Sequence, residues 1–375
     1  MKRQYWEAVF LMVGMTVGSG IFAVPYVFGI SGVGFGILTA IAVTILVLTV
    51  HLMYADIVLA NGERHRLIGN ATNILGPKTG KLTAIIVVLG NLGALLSYTV
   101  LGGTFLFALF SQWFGGSLFM YQIAILVLGA FSLSFGAKLI GELNSILTIA
   151  LIALFLTLTA IAANRAFIPN LLTLNPEMMF GSYGVMLFSL LGTNAIPEMN
   201  AMLGKRDTAL LRPAVKIGTL IAAAITVTFG AAVAAFCGPY TTKDAITGLA
   251  TQLGPWVLGV GAIVGLLAVF TSFIIMALSL EETYRTDFGW HTPKALLFTF
   301  APIIVFFLIG ARDLVQIITF TGTVLGAGAC VIIALIYRKM LKDKKTAPLM
   351  RYGSLVPNIC IVMLVLGLIV TVTKS

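Results

Sequence analysis

Two short stretches of this sequence put bare backbone where a membrane helix would be expected to continue. Residues 13–22 read VGMTVGSGIF and residues 190–199 read LLGTNAIPEM, each in the middle of an apolar run. Glycine tolerates an unwound chain. A helix interrupted inside a bilayer frees N–H and C=O groups that lipid cannot satisfy, so the interruption must be buried in protein or line a wet cavity. The half-helix after each break presents N–H donors and partial positive charge, which suit a carboxylate. The half-helix before it ends in free carbonyls, which suit an ammonium group or a metal cation. A zwitterionic amino acid has both needs. Ser19 and Asn194 are placed to cap the second half-helices, and Pro197 falls in a first turn, where its missing N–H matters least. For the first stretch taken alone, a packing face of Gly14 and Gly18, with Thr16 and Ser19 bonded back to their own helix, stays open.

The elements that must hold these breaks are membrane spans. The chain has 375 residues, 59% of them hydrophobic and 10% charged, where soluble domains have roughly 45–50% and about 25%. Apolar runs bounded by charge, proline or glycine give eleven segments, each near the length of a bilayer core: residues 6–29, 34–59, 81–111, 119–138, 142–163, 178–200, 214–237, 252–280, 294–310, 314–337 and 354–373. The first begins like a signal peptide but shows no small-residue cleavage site and reads as a retained span. The net charge of +10 points to no nucleic-acid partner, because the basic residues sit in short loops. With a cytoplasmic N-terminus, nineteen Lys and Arg fall inside and four (Arg165, Lys243, Arg312 and Lys374) outside, the bias expected of an inner (plasma) membrane protein. An odd number of spans puts the C-terminus outside. Cys237, Cys330 and Cys360 form neither a disulfide framework nor a metal pattern.

The breaks also order the spans. Gly18 and Gly192 are 174 residues apart, and that offset carries the starts of spans three, four and five from 81, 119 and 142 to 255, 293 and 316, against 252, 294 and 314 read from hydropathy. Five spans is an odd number, so the second half enters from the opposite side and the repeat is inverted. The expected fold is all-α and integral to the membrane: a first repeat over 1–163, a second over 178–337 and an additional span at 354–373.

Specific residues then carry a resemblance. GMTVGSGIFAVPY at 14–26 resembles the first-helix motif of transporters with the LeuT-type five-plus-five inverted repeat. Residues 53–82 are similar to the second-helix end and following loop of the amino acid, polyamine and organocation superfamily. GTNAIPEM at 192–199 is similar to the sixth helix of the amino acid and auxin permease family, and the eleven spans match bacterial aromatic and hydroxy amino acid permeases. For sodium-coupled members of this fold, the resemblance implies a Na+ site from AVFTS at 268–272: the carbonyls of Gly14, Val17 and Ala268 with the hydroxyls of Thr271 and Ser272. It also implies a substrate site in which Ser19, Gly20 and Ile21 donate N–H groups to the carboxylate. The Phe188, Ser189 and Gly192 region would accept from the ammonium, Thr193 and Asn194 would face the side chain, Tyr98 would touch the substrate or close an outer gate, and Thr16 belongs to the same substrate site. Thr321 and Thr323 of span ten are secondary pocket candidates.

Alternatives stay open for several of these residues. Thr271 and Ser272 suit plain packing in a membrane helix, and Tyr98 suits a buried packing role. Proton-coupled relatives place a basic residue in span five; this span five has none between 143 and 163, which favours sodium. His51, Asp56 and Glu198 keep proton coupling in view, although a structural hydrogen bond for His51 and ion pairing for the two carboxylates are the simpler roles. No charged residue precedes Glu198 in the breaks or pocket segments, and an unpaired substrate charge would be costly there. The expected substrate is therefore a neutral L-amino acid, with an aromatic or hydrophobic one implied by the resemblance, carried by Na+ symport, with H+ as the alternative ion. The sequence holds no H-E-x-x-H, no G-x-S-x-G and no facing carboxylates in mid-membrane, so an enzyme is not expected. No obligatory protein partner is readable, and a non-transporting structural or receptor-like protein would have no use for the repeated break.

Overall fold

Helix ends fall where glycine, proline and charge interrupt the apolar runs. The structure is a computed structural model that describes residues 2–61, 66–133, 137–204, 207–286, 288–343 and 350–374. Arg64, His65, Lys205, Arg206, Lys344 and Lys345, which the sequence places in loops, lie outside these residues, as does the junction of spans four and five at 134–136. Among the described residues every regular element is helical and there is no strand.

Span one is two helices, α1 (Lys2–Thr16) and α2 (Gly20–Ser31), bent by 55° at residues 17–19. Span two is α3 (Val33–Asn61), followed by a short amphipathic α4 (Leu67–Leu75) that the sequence reading had left as loop. Gly76, at φ 101°, turns the chain into α5 (Pro77–Phe114), which begins four residues before the expected start of span three because Pro77 suits a first helical position. Then come α6 (Leu118–Ser132), α7 (Ala137–Asn164) and the four-residue α8 (Ile168–Leu171). Span six starts later than its hydropathy suggested: turns close at Gly181 and Tyr183, and the helix proper is α9 (Tyr183–Leu190), interrupted before α10 (Ala195–Leu203). The remainder is α11 (Leu211–Cys237), α12 (Ile246–Leu253), α13 (Pro255–Thr286), α14 (Thr292–Leu308), α15 (Leu314–Phe320), a π-helical turn (Thr321–Gly326), α16 (Ala327–Met340) and α17 (Leu355–Lys374). Each of the eleven apolar runs thus holds helix. Among the described residues five helices are long and apolar enough to cross a membrane, and a sixth if the bent α1–α2 pair is one span.

The helices pack as two groups around the breaks. In one, α11 lies against α1, α2 and α3, while α10 packs on α1 and α9 on α2 and α3. In the other, α13 lies against α5, α7 and α14, and α5 also packs on α6. The π turn and α9 meet directly, and α7 joins the groups through α11. Asp56 of α3 pairs with Arg212 of α11 at 2.6 Å and accepts from the Tyr337 hydroxyl of α16 at 3.3 Å. Burial of this pair is tolerable because Arg212 also donates to the Leu52 carbonyl at 3.3 Å and stacks over Tyr352, 5.0 Å from its ring centre.

Candidate functional site

The first break leaves unpaired backbone behind. The Val17 N–H returns to the Val13 carbonyl at 2.8 Å and the Gly18 N–H to Thr16 at 3.0 Å, so among the described residues the Gly14 and Val17 carbonyls and the Ser19, Gly20 and Ile21 amides have no backbone partner across the break. These are the groups expected to meet an ion and a carboxylate. Ser19, by contrast, is no cap: it sits in helical geometry, φ −63° and ψ −24°, so its side chain points away from the amides that follow. Its hydroxyl lies 2.7 Å from that of Ser97 on α5, and since Ser97 donates to the Ala94 carbonyl, also at 2.7 Å, Ser19 is the donor of the pair.

The second break is held instead by a side chain. The Gly192 N–H donates to Nε2 of His51 at 3.1 Å, and Nδ1 of His51 lies 2.9 Å from the Thr219 hydroxyl of α11. Nε2 can accept only when it carries no proton, so this geometry requires the Nδ1–H tautomer with Thr219 as acceptor. The structural hydrogen bond expected for His51 therefore exists, linking the second break to Thr219 of α11. Backbone turns do the rest, from Ala195 to the Gly192 carbonyl at 3.0 Å and from Ile196 to Thr193 at 3.3 Å. Asn194, at φ −64° and ψ −24°, is no cap either; it donates to Asn91 of α5 at 3.4 Å.

Each break is fitted to the other through a glycine. A Cβ on Gly20 would run into the Ser189 hydroxyl and come within 2.9 Å of the Ser189 Cα, and a Cβ on Gly192 would run into the Thr16 hydroxyl. Thr16 and Ser189 spend their protons on the Met12 and Val185 carbonyls, each at 2.7 Å, and so keep only acceptor capacity, as an ammonium group requires.

Between the breaks lies a cavity of about 110 Å3. Thr16, Gly18 and Gly20 line it from span one, Tyr98 from α5, Phe188, Thr193 and Asn194 from span six, and Thr321 and Gly322 from the π turn. No charged residue lines it, and Met15, Ile86, Val87, Leu191, Met276 and Leu325 give it apolar walls. Tyr98 places its hydroxyl beside Gly18, 2.9 Å from where a Cβ would be. Ser19, Ile21, Ser189 and Gly192 stand one layer behind the lining, fully or nearly buried. The cavity also contains Asn91, which sequence reasoning passed over. The spacing of Asn91, Ala94 and Tyr98 at i, i+3 and i+7 marks one helix face and was the available signal.

The expected ion ligands sit on α1, the first break and α13. Thr271 donates to the Ala268 carbonyl at 3.0 Å within α13, the ordinary packing arrangement. Ala268 and Ser272 are spaced by four from the cavity-lining Met276, which puts them on its helix face.

The cavity continues toward one end of the bundle through a narrower extension of about 30 Å3, from Asn91, Thr193 and Asn194 to Arg66. There Arg66 pairs with Glu198 of α10 at 2.8 Å and with Glu282 of α13 at 3.1 Å, joining the two helix groups. All three side chains are over a third exposed, so each pair is weak and screened. At the opposite end Lys243 pairs with Asp313, which caps α15 by accepting from the Gln316 N–H at 3.1 Å, and Lys243 lies 5.9 Å from the ring centre of Tyr26 on α2. Burial pushes the Asp313 carboxyl up, but the bonds from Lys243 and from the Gln316 and Val315 amides outweigh it and hold the group below the usual carboxylate range.

Solved structures of transporters share this architecture. The chain is 15% identical to MhsT in complex with L-phenylalanine, with a TM-score of 0.71 over 96% of this chain and 98% of that one. It is 14% identical to Mhp1, a nucleobase-cation-symport-1 family transporter with bromovinylhydantoin bound, with a TM-score of 0.67 over 99% and 91%. A manganese transporter of Eremococcus coleocola gives 13% identity and a TM-score of 0.66 over 97% and 85%. At these identities the likeness establishes the fold, which is that of LeuT-type transporters. No curated protein matches the sequence. The family model for tryptophan and tyrosine permeases matches residues 1–374. The amino acid and auxin permease family that the motifs resembled is not the family matched; the chain belongs to the tryptophan/tyrosine permease family and is a multi-pass membrane transporter of amino acids, not an enzyme.

Proposed function

We propose that the protein imports a neutral aromatic L-amino acid by ion-coupled symport with alternating access. The observation that carries this reading is the uncharged, mostly apolar cavity laid against free amides of one break and acceptor-only hydroxyls of both. The amides of Ser19, Gly20 and Ile21 would hold the carboxylate, Thr16 and Ser189 would orient the ammonium, and Phe188, Met276 and Leu325 would bury the ring. The family and the phenylalanine bound in MhsT support an aromatic substrate.

In this reading eleven spans cross the inner (plasma) membrane, spans one to five and six to ten form inverted repeats, and the eleventh lies outside them. The N-terminus and the Arg66 end are cytoplasmic; the C-terminus and the Lys243–Asp313 end face outside. Spans one, two, six and seven would rock against the others, with Arg66–Glu198–Glu282 and Lys243–Asp313 as the contacts that break in turn. Sodium is the coupling ion, bound by the Gly14, Val17 and Ala268 carbonyls and the Thr271 and Ser272 hydroxyls; the unpaired Gly14 and Val17 carbonyls support this assignment. A proton is the second reading, favoured by one observation: His51, a titratable side chain, holds the backbone of the second break.

Uptake of labelled tryptophan, tyrosine and phenylalanine into liposomes decides between these readings. A sodium gradient at constant pH should drive accumulation of unmodified solute. Accumulation driven only by a pH gradient would move the coupling to protons, and no uptake of any aromatic amino acid under either gradient would reject transport.

A further inference from the structure

In the reading above, Ser19, Gly20, Ile21, Thr16 and Ser189 act on the parts common to all amino acids. Asn91 does not fit that description. Its side chain is buried, 7% exposed, yet it lines the cavity. Its Oδ1 accepts a single long bond, 3.4 Å, from Asn194, which is the one side-chain hydrogen bond of Asn91 among the described residues. A buried amide with most of its hydrogen-bonding capacity unused is costly unless something else completes it.

We propose that Asn91 is a specificity-determining residue that binds the polar atom of the substrate's aromatic ring, the indole N–H of tryptophan or the phenol O–H of tyrosine. The inference rests on the transport reading above and adds the substrate class within it. Tyr98 and Asn91 are seven residues apart on α5, two turns or about 10 Å along the axis. Tyr98 marks the end of the cavity at Gly18, where the free amides of the first break begin. An extended aromatic amino acid with its carboxylate there spans the same two turns and brings its ring heteroatom to Asn91. The same cavity takes Ala94 from α5 and Gly322 and Leu325 from the π turn, none with a hydrogen-bonding side chain. Asn91 can accept an indole N–H at the free lone pair of Oδ1, and can donate to or accept from a phenol. Phenylalanine offers neither and leaves the amide as it is. A site built to bond a substrate OH or NH discriminates against the analogue that lacks it, because its own buried groups are then left unpaired.

Uptake by the full-length protein in liposomes tests this with the three aromatic amino acids and two variants. Asn91→Leu keeps the volume and removes both functions of the amide; Asn91→Ser keeps a hydroxyl. In Asn91→Leu the KM for tryptophan and tyrosine should rise about tenfold while that for phenylalanine changes less than about threefold, and Asn91→Ser should recover part of the difference. Equal loss for all three substrates in both variants would overturn the proposal, since Asn91 would then act only through packing or through Asn194, and so would an unchanged tryptophan-to-phenylalanine ratio. If Asn91→Leu does not fold, the same ratio measured in Asn91→Ser decides. A parent protein that takes up none of the three overturns the transport reading itself, whereas uptake without an Asn91 effect overturns this assignment alone.

Discussion

The two breaks occupy matching places in the sequence and are satisfied in opposite ways. At the first, Ser19 is tied sideways to Ser97 and the backbone amides that follow are left without partners. At the second, the key amide, Gly192, is tied to His51 and its neighbours close turns among themselves. One break therefore leaves backbone amides unpaired, while the other is braced by a side chain. A repeated interruption supplies two unwound sites, and the helices packed around each decide what it can do.

The largest effect should come from closing the gap between the breaks. Gly20→Ala places a Cβ against the Ser189 backbone, which cannot yield as a side chain can, and uptake should fall by about a hundredfold with the protein still folded by thermal melting. Gly192→Ala meets the Thr16 hydroxyl and, at 3.0 Å, the flexible end of Met12, so its loss should be clearly smaller; equal losses would erase the distinction between a rigid and a yielding break.

The brace at the second break comes next. His51→Asn cannot present an acceptor at the reach of Nε2, leaving the Gly192 amide unpaired, and uptake should drop about tenfold to a hundredfold. His51→Gln retains that reach and should restore most of it, and a Gln variant as poor as the Asn variant would show that the imidazole matters for something other than this bond.

Smaller effects belong to the first break. Thr271→Ala should raise the sodium concentration for half-maximal uptake about tenfold, and parent uptake indifferent to sodium would remove the ion from this break. Ser97→Ala withdraws only the partner of the Ser19 hydroxyl and should cost about threefold in KM, with no change in ion dependence.

Much of the architecture was readable before any coordinates. Hydropathy located a helix in each of eleven runs, and the glycine clusters located both interruptions, because a bilayer permits no other continuous structure and unwound backbone needs glycine there. The misreadings were local. The amphipathic α4 was taken as loop because its nine residues are short and half polar, and the start of span six was placed in residues that fold as turns. Ser19 and Asn194 have the side chains of caps, but both adopt helical geometry and turn toward α5. Pattern names the residues able to cap; backbone dihedrals decide whether they do.

Composition and spacing alone established a membrane protein with two breaks a fixed distance apart and an uncharged region around them, since these follow from transfer free energies and helix periodicity acting along the chain. Tertiary structure decided the partners. Ser97 meets Ser19 across 78 residues, Asn91 meets Asn194 across 103 and His51 meets Gly192 across 141. Each of those bonds depends on which faces of separate helices pack together, and a one-residue change in helix rotation turns a face by about 100°. No reading along the chain resolves that angle, and it is the angle that separates an amide left unpaired from one held by a histidine.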